Sequence, residues 1–118
     1  MDTAAALSAF SAAFGSGDVE AIMSLMTPDC VFESTGPAPD GLRREGADDV
    51  RSVWVELFGR TRDAAFTEEE SFAAGDRGVL RWLFTWTEED GRQGHVRGVD
   101  VLTFRDGLVA EKLSYVKG

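Results

Sequence analysis

The chain has 118 residues, 43% of them hydrophobic, and 21 acidic against 12 basic side chains leave a net charge of −9. That length supplies one domain with a substantial core and falls short of two, while the negative balance opposes phosphate backbones and anionic lipid surfaces, so neither nucleic acid nor membrane is an expected partner. Cys30 is the only cysteine, which excludes an intrachain disulfide, and with a single histidine it is poor material for zinc; no metal and no cofactor are expected. The opening residues lack a basic segment followed by a long apolar one, and no later apolar run approaches membrane-spanning length, so a cytoplasmic protein is expected.

Leu7, Phe10 and Phe14 recur at helical spacing in an alanine-rich segment that Gly15-Ser16-Gly17 interrupts, giving a first helix. Asp18 caps a second, whose stripe is Val19, Ile22, Met23 and Met26 before Pro28 closes it. Cys30-Val31-Phe32-Glu33-Ser34 reads as a short strand, and the prolines and glycines of Gly36-Pro37-Ala38-Pro39-Asp40-Gly41 start a loop that runs to about Gly46. The third helix carries Val50, Val53, Trp54, Leu57 and Phe58 on one face, with Asp48 and Asp49 near its positive end, and stops near Gly59. From Ala65 onward the pattern turns to strands, separated at Gly75-Asp76-Arg77-Gly78, Asp90-Gly91 and Asp106-Gly107, which predicts four consecutive antiparallel strands. Helices first and a meander afterwards make a single α+β domain, three N-terminal helices packed on a curved antiparallel sheet.

Asp100 is the unusual residue. It stands in Gly98-Val99-Asp100-Val101-Leu102-Thr103-Phe104, on the strand face that also bears Leu102 and Phe104, where a carboxylate must be paired, hydrated or protonated. If Asp106-Gly107 is a two-residue hairpin loop, Asp100 falls opposite Leu113 and Tyr115 opposite Gly98, so Asp100 and Tyr115 become neighbours. The preceding hairpin leaves two registers open. A two-residue loop sets Arg81 opposite Asp100 and offers an ion pair; one more residue sets Trp82 there and adds Phe84 and Trp86 to the same face. The second is preferred, because Leu80, Trp82, Phe84 and Trp86 are the bulkier face and belong beneath the helices. The other face, with Val79, Arg81, Leu83, Val99 and Val101, is too apolar to be wholly solvated, and a homodimer that buries this outer sheet face is expected.

This element order resembles the NTF2-like superfamily, and more closely its SnoaL-like and ketosteroid-isomerase-like branch. The resemblance is carried by Gly17-Asp18 at the second helix, Pro28-Asp29-Cys30-Val31-Phe32-Glu33 entering the first strand, Asp40-Gly41 to Gly46 before the third helix, and Gly98-Val99-Asp100-Val101 through Phe104-Arg105-Asp106-Gly107-Leu108-Val109-Ala110-Glu111. It implies a cone-shaped fold in which helices and sheet enclose a hydrophobic pocket, in a superfamily that contains isomerases, cyclases, epoxide hydrolases, dehydratases and non-catalytic domains. Asp100 matches the isomerase position whose protonated acid donates to the developing oxyanion. Ser34 stands where the isomerase has its general-base aspartate and Phe10 where it has its oxyanion tyrosine, so steroid isomerisation by that mechanism is not expected. SnoaL-like cyclases pair an aspartate with a histidine, which would join Asp100 to His95 if a bulge brought them to one face.

The candidate acid/base residues are therefore Asp100, Glu33, His95 and Tyr115, and the candidate ligand-binding residues are Phe10, Phe32, Trp54, Trp82, Phe84 and Trp86. Arg43 and Arg44 fall in the loop that would cover the pocket mouth. The expectation is a hydrophobic pocket for an aromatic or polycyclic small molecule, with cofactor-independent isomerisation, cyclisation or dehydration through Asp100. The alternative is a non-catalytic binding or dimerisation domain, which the missing partner acids favour.

Overall fold

Asp2 begins the first helix by accepting from the Ala5 N–H at 2.8 Å, and the computed structural model describes residues 2–60 and 62–118. Helix α1 (Thr3–Ser16) buries Ala6, Leu7, Phe10 and Phe14 and ends at Gly17, whose positive φ of 71° turns its N–H back to the Phe14 carbonyl. Helix α2 (Val19–Met23) is capped by Asp18, which accepts from Ala21 N–H at 3.1 Å. It is only five residues long. The predicted stripe extended to Met26, but Met26 opens strand β1 (Met26–Glu33), four residues earlier than the strand predicted at Cys30.

Pro28 lies inside β1, where a proline is usually excluded. Pairing with β2 (Arg43–Glu45) begins only at Val31 opposite Glu45, and pairing with the last strand breaks register between Met26 and Val31. No ladder bond is therefore asked of the missing N–H. Strand β2 falls within the segment predicted as loop, because Arg43-Arg44-Glu45 has no apolar residue to mark it. Helix α3 (Ala47–Arg60) has Asp48 and Asp49 in its first turn and buries Val50 and Trp54.

Strands β3 (Arg62–Ala74), β4 (Arg77–Thr87), β5 (Gln93–Arg105) and β6 (Leu108–Val116) form the expected meander. The six strands run in the order β2-β1-β6-β5-β4-β3, with β1 and β6 parallel and every other pair antiparallel. The helices pack on the inner face, giving the α+β architecture that the sequence implied, with one parallel pair in a sheet expected to be antiparallel throughout. Among the described residues no helix is long and apolar enough to cross a membrane.

Register decides the chemistry. The Asp106-Gly107 hairpin pairs Arg105 with Leu108 as expected, but Phe104 then faces Val109 while Thr103 faces Glu111, so Ala110 is an extra residue on β6. This bulge slips every later pair by one and turns the side chains over. Asp100 therefore faces Ser114 rather than Leu113, and Tyr115 faces Val99 rather than Gly98. Across β4, a loop of residues 88–92 between Thr87 and Gln93 places Leu80 opposite Asp100, which is neither of the two expected registers. The preferred face is nonetheless the inner one. Trp82 and Phe84 are buried on it, and Arg81 points outward to Glu70 at 2.8 Å, not to Asp100.

Gly98 makes this packing possible. A Cβ at that position would sit 2.3 Å from Trp82 Cζ2 and 2.6 Å from the Tyr115 carbonyl oxygen, so only glycine lets the indole lie flat across β5. On the outer face Val79, Leu83, Val99 and Val101 are half-buried, whereas Phe72 and Tyr115 are 56% and 54% exposed.

Candidate functional site

Between α3, β1 and the inner face of the meander lies a cavity of about 590 Å³. Aromatic rings make up much of its wall, those of Phe14, Phe32, Trp54, Phe66, Trp82, Phe84 and Trp86, and Ser34, Thr35, Arg44 and Glu56 line it as well. The rings support one another, with Phe66 stacked on Phe84 at 4.3 Å between centroids, Phe32 against Trp54 at 4.5 Å and Phe84 against Trp86 at 5.3 Å. Among the described residues no acceptor meets the buried indole N–H groups of Trp54 and Trp82. Each such donor costs about 1–3 kcal/mol.

Into this apolar wall β6 projects Lys112 and Ser114. Both face inward because of the Ala110 bulge; unbroken alternation from the buried Val109 would have sent Glu111 and Leu113 in and Lys112 out. Asp100, on the neighbouring strand, completes the group. Lys112 Nζ lies 3.2 Å from Asp100 Oδ2 and donates to Ser114 Oγ at 2.8 Å, and the Ser114 hydroxyl donates to Asp100 Oδ1 at 2.6 Å. The three residues are 4%, 8% and 2% exposed for Lys112, Ser114 and Asp100 respectively, so this is a buried ion pair bridged by a hydroxyl. Nζ also stands over the rings of Phe32, Phe14 and Trp54, at 4.8, 5.0 and 5.3 Å from their centroids.

Burial pushes the Lys112 amine below the ordinary lysine range, and the charge of Asp100 and its hydrogen bond pull in the opposite direction. The same amine is thus held as a cation by one neighbour and destabilised as one by its surroundings. Asp100 does not line the main cavity; it sits behind Lys112 and Ser114, against a small void shared with Ser11 and Leu80. Of the three, Lys112 and Ser114 meet the cavity, and Lys112 is the one that carries a charge there.

The predicted residues divide accordingly. Phe32, Trp54, Trp82, Phe84 and Trp86 line the cavity together. Phe10 does not, since it is wholly buried in the core beneath α1. Glu33 lies outside the cavity, where Arg43 bridges it at 3.1 Å, and Arg43 is further held by Glu45. Arg44 does reach the cavity, from β2 rather than from a loop. His95 is exposed on the outer face opposite Thr85, so no bulge brings it to Asp100. Tyr115 is on that outer face as well. Sequence reasoning missed Lys112, Ser114, Phe14 and Phe66 as cavity residues. A signal for Lys112 existed: Asp100 had to be paired, hydrated or protonated, and the adjoining strand held a cation, displaced by a single bulged residue. Among the described residues no cluster of three or more His, Cys, Asp or Glu side chains could hold a metal ion.

The family model described as SnoaL-like domain matches residues 7–112. The chain belongs to the SnoaL-like family. A solved NTF2-like protein of unknown function from Mesorhizobium loti is 36% identical, over 98% of this chain and 91% of that one, with a TM-score of 0.81. A candidate polyketide cyclase from Silicibacter shares the fold of this SnoaL-like chain at a TM-score of 0.82 and 15% identity, covering 98% of this chain and 88% of its own. So does a protein of ketosteroid-isomerase-like fold from Catenulispora acidiphila, solved with trimethylamine, at a TM-score of 0.81 and 15% identity over 97% and 86% of the two chains. Among curated proteins none matches the SnoaL-like chain.

Proposed function

We propose that this SnoaL-like protein binds a planar aromatic or polycyclic small molecule in the aromatic cavity and promotes isomerisation, cyclisation or dehydration without a cofactor, using Lys112 as its acid/base group. The observation that carries this reading is a buried ammonium set in an aromatic wall, held by Asp100 from behind and by Ser114 beside it on the cavity wall. Two of the three Nζ–H groups serve Asp100 and Ser114. The third is left for a ligand oxygen, where it stabilises the negative charge that develops on a carbonyl as a proton leaves the adjacent carbon. Burial makes Lys112 a better proton donor than a solvated lysine, which suits it to this work near neutral pH. Asp100, the residue first expected to do the chemistry, becomes a positioning residue: it keeps Lys112 charged and aimed without touching the ligand. The likeness in fold to a candidate polyketide cyclase supports the reaction class.

One observation favours a binding role without turnover. Glu33, His95 and Tyr115, the other acid/base candidates, all lie outside the cavity.

A thermal-shift titration against steroids, phenols and aromatic polyketides tests the binding reading. At a hundredfold excess over Kd a native-state ligand adds about 2.7 kcal/mol, which in a domain of this size raises Tm by on the order of 10 °C. At least one planar oxygenated compound is expected to do so. A flat response across the panel would remove the cavity as a binding site.

A further inference from the structure

We infer that Lys112 forms a covalent imine with a conjugated aldehyde or ketone held in the aromatic cavity. The inference rests on the binding reading above and adds to it a nucleophile and a substrate class, aromatic carbonyl compounds.

The twelve cationic side chains comprise ten arginines and two lysines, Lys112 and Lys117. An arginine is the better partner for a buried carboxylate, because its guanidinium is planar, offers paired donors and is never neutral; a lysine can give up its proton and become a nucleophile. The single buried cation of the Asp100 pair is the lysine. Burial works in the same direction by disfavouring the ammonium.

Nζ lines a cavity large enough for a bicyclic ring, and the route for its proton is built: directly to Asp100 Oδ2 at 3.2 Å, or through Ser114 Oγ at 2.8 Å and on to Asp100 Oδ1 at 2.6 Å. With that proton on Asp100, the amine lone pair attacks the carbonyl carbon and forms the C–N bond. The C=O electron pair moves to oxygen, which takes back protons from the amine and Asp100 and leaves as water. Overall, one ammonium and one carbonyl become one protonated imine and one water. The buried carboxylate faces one positive charge before and after, so the product is as well compensated as the reactant. The aromatic walls limit the water that would reverse the step.

The test uses the intact protein with 2-naphthaldehyde and sodium cyanoborohydride near neutral pH, read by intact mass and peptide mapping. The expected result is one naphthylmethyl adduct, on Lys112, with the exposed Lys117 largely unmodified, and slower labelling when 2-naphthol is present as a competitor without a carbonyl. A Lys117→Arg variant, which leaves Lys112 as the only lysine, keeps the same adduct. Binding of 2-naphthaldehyde, seen as a thermal shift, with no modification of Lys112 overturns the imine and leaves the cavity reading standing. Adducts confined to Lys117 and the amino terminus overturn it too. Absence of any thermal shift with either naphthalene compound, together with an unmodified Lys112, overturns the imine and argues against the binding reading itself.

Discussion

Lys112→Met is expected to cost about 3–5 kcal/mol, because it removes one half of a buried ion pair and leaves Asp100 charged and uncompensated. Asp100 is 2% exposed, and the Ser114 hydroxyl that still donates to it cannot neutralise it. A domain of ordinary stability has only about 5–15 kcal/mol to lose, so this variant is expected to be marginal. Asp100→Asn combined with Lys112→Met removes both charges and is expected to recover all but about 1–3 kcal/mol, the residue being amide groups that lack full hydrogen bonding. Denaturant unfolding of the wild type and the two variants measures this. A single substitution that costs less than about 1 kcal/mol would show that the pair is hydrated or apart in solution.

Trp54→Ala is expected to be comparably severe, at about 3–5 kcal/mol. Trp54 is 1% exposed and joins α3 to everything else in the core: it meets Phe14 of α1 edge-on at 5.0 Å, Phe32 of β1 at 4.5 Å and the Lys112 ammonium at 5.3 Å. Aromatic pairs of this kind add about 0.5–1.5 kcal/mol beyond the area they bury, and two are lost at once. The hole left behind opens into the existing cavity, so the walls cannot close over it and the cavity cost remains. Urea unfolding gives the value. A loss below about 1.5 kcal/mol would mean that α3 repacks freely, against a fixed aromatic wall.

Helical periodicity was strong wherever a stripe was long. Val50, Val53, Trp54, Leu57 and Phe58 marked α3, and Leu7, Phe10 and Phe14 marked α1. It failed where local pattern and tertiary pairing disagree. Met26 continues a helical stripe yet begins β1, and Arg43-Arg44-Glu45 pairs with β1 through backbone bonds that leave no trace in side-chain hydrophobicity.

The site shows the same division more sharply. Asp100 stood out as a residue needing compensation, and the aromatic face of Trp82, Phe84 and Trp86 was legible from bulk and alternation. The compensating residue was not. An inserted residue in a strand changes which side chains face inward without changing their identities, so the Ala110 bulge turned Lys112 and Ser114 in and Tyr115 out with no compositional sign. The five-residue connection at 88–92 hid the β4 register in the same manner, since Asp90-Gly91 alone suggested a tighter turn.

The cavity is proposed to take an aromatic ligand whose oxygen meets Lys112. A crystal structure of the protein with the compound that raises Tm most tests it directly. The ligand is expected among Trp54, Trp82 and Trp86 with an oxygen within hydrogen-bond distance of Lys112 Nζ. A ligand bound elsewhere, or a Lys112 that meets only Asp100 and Ser114 while the ligand turns its apolar edge to it, would contradict the account.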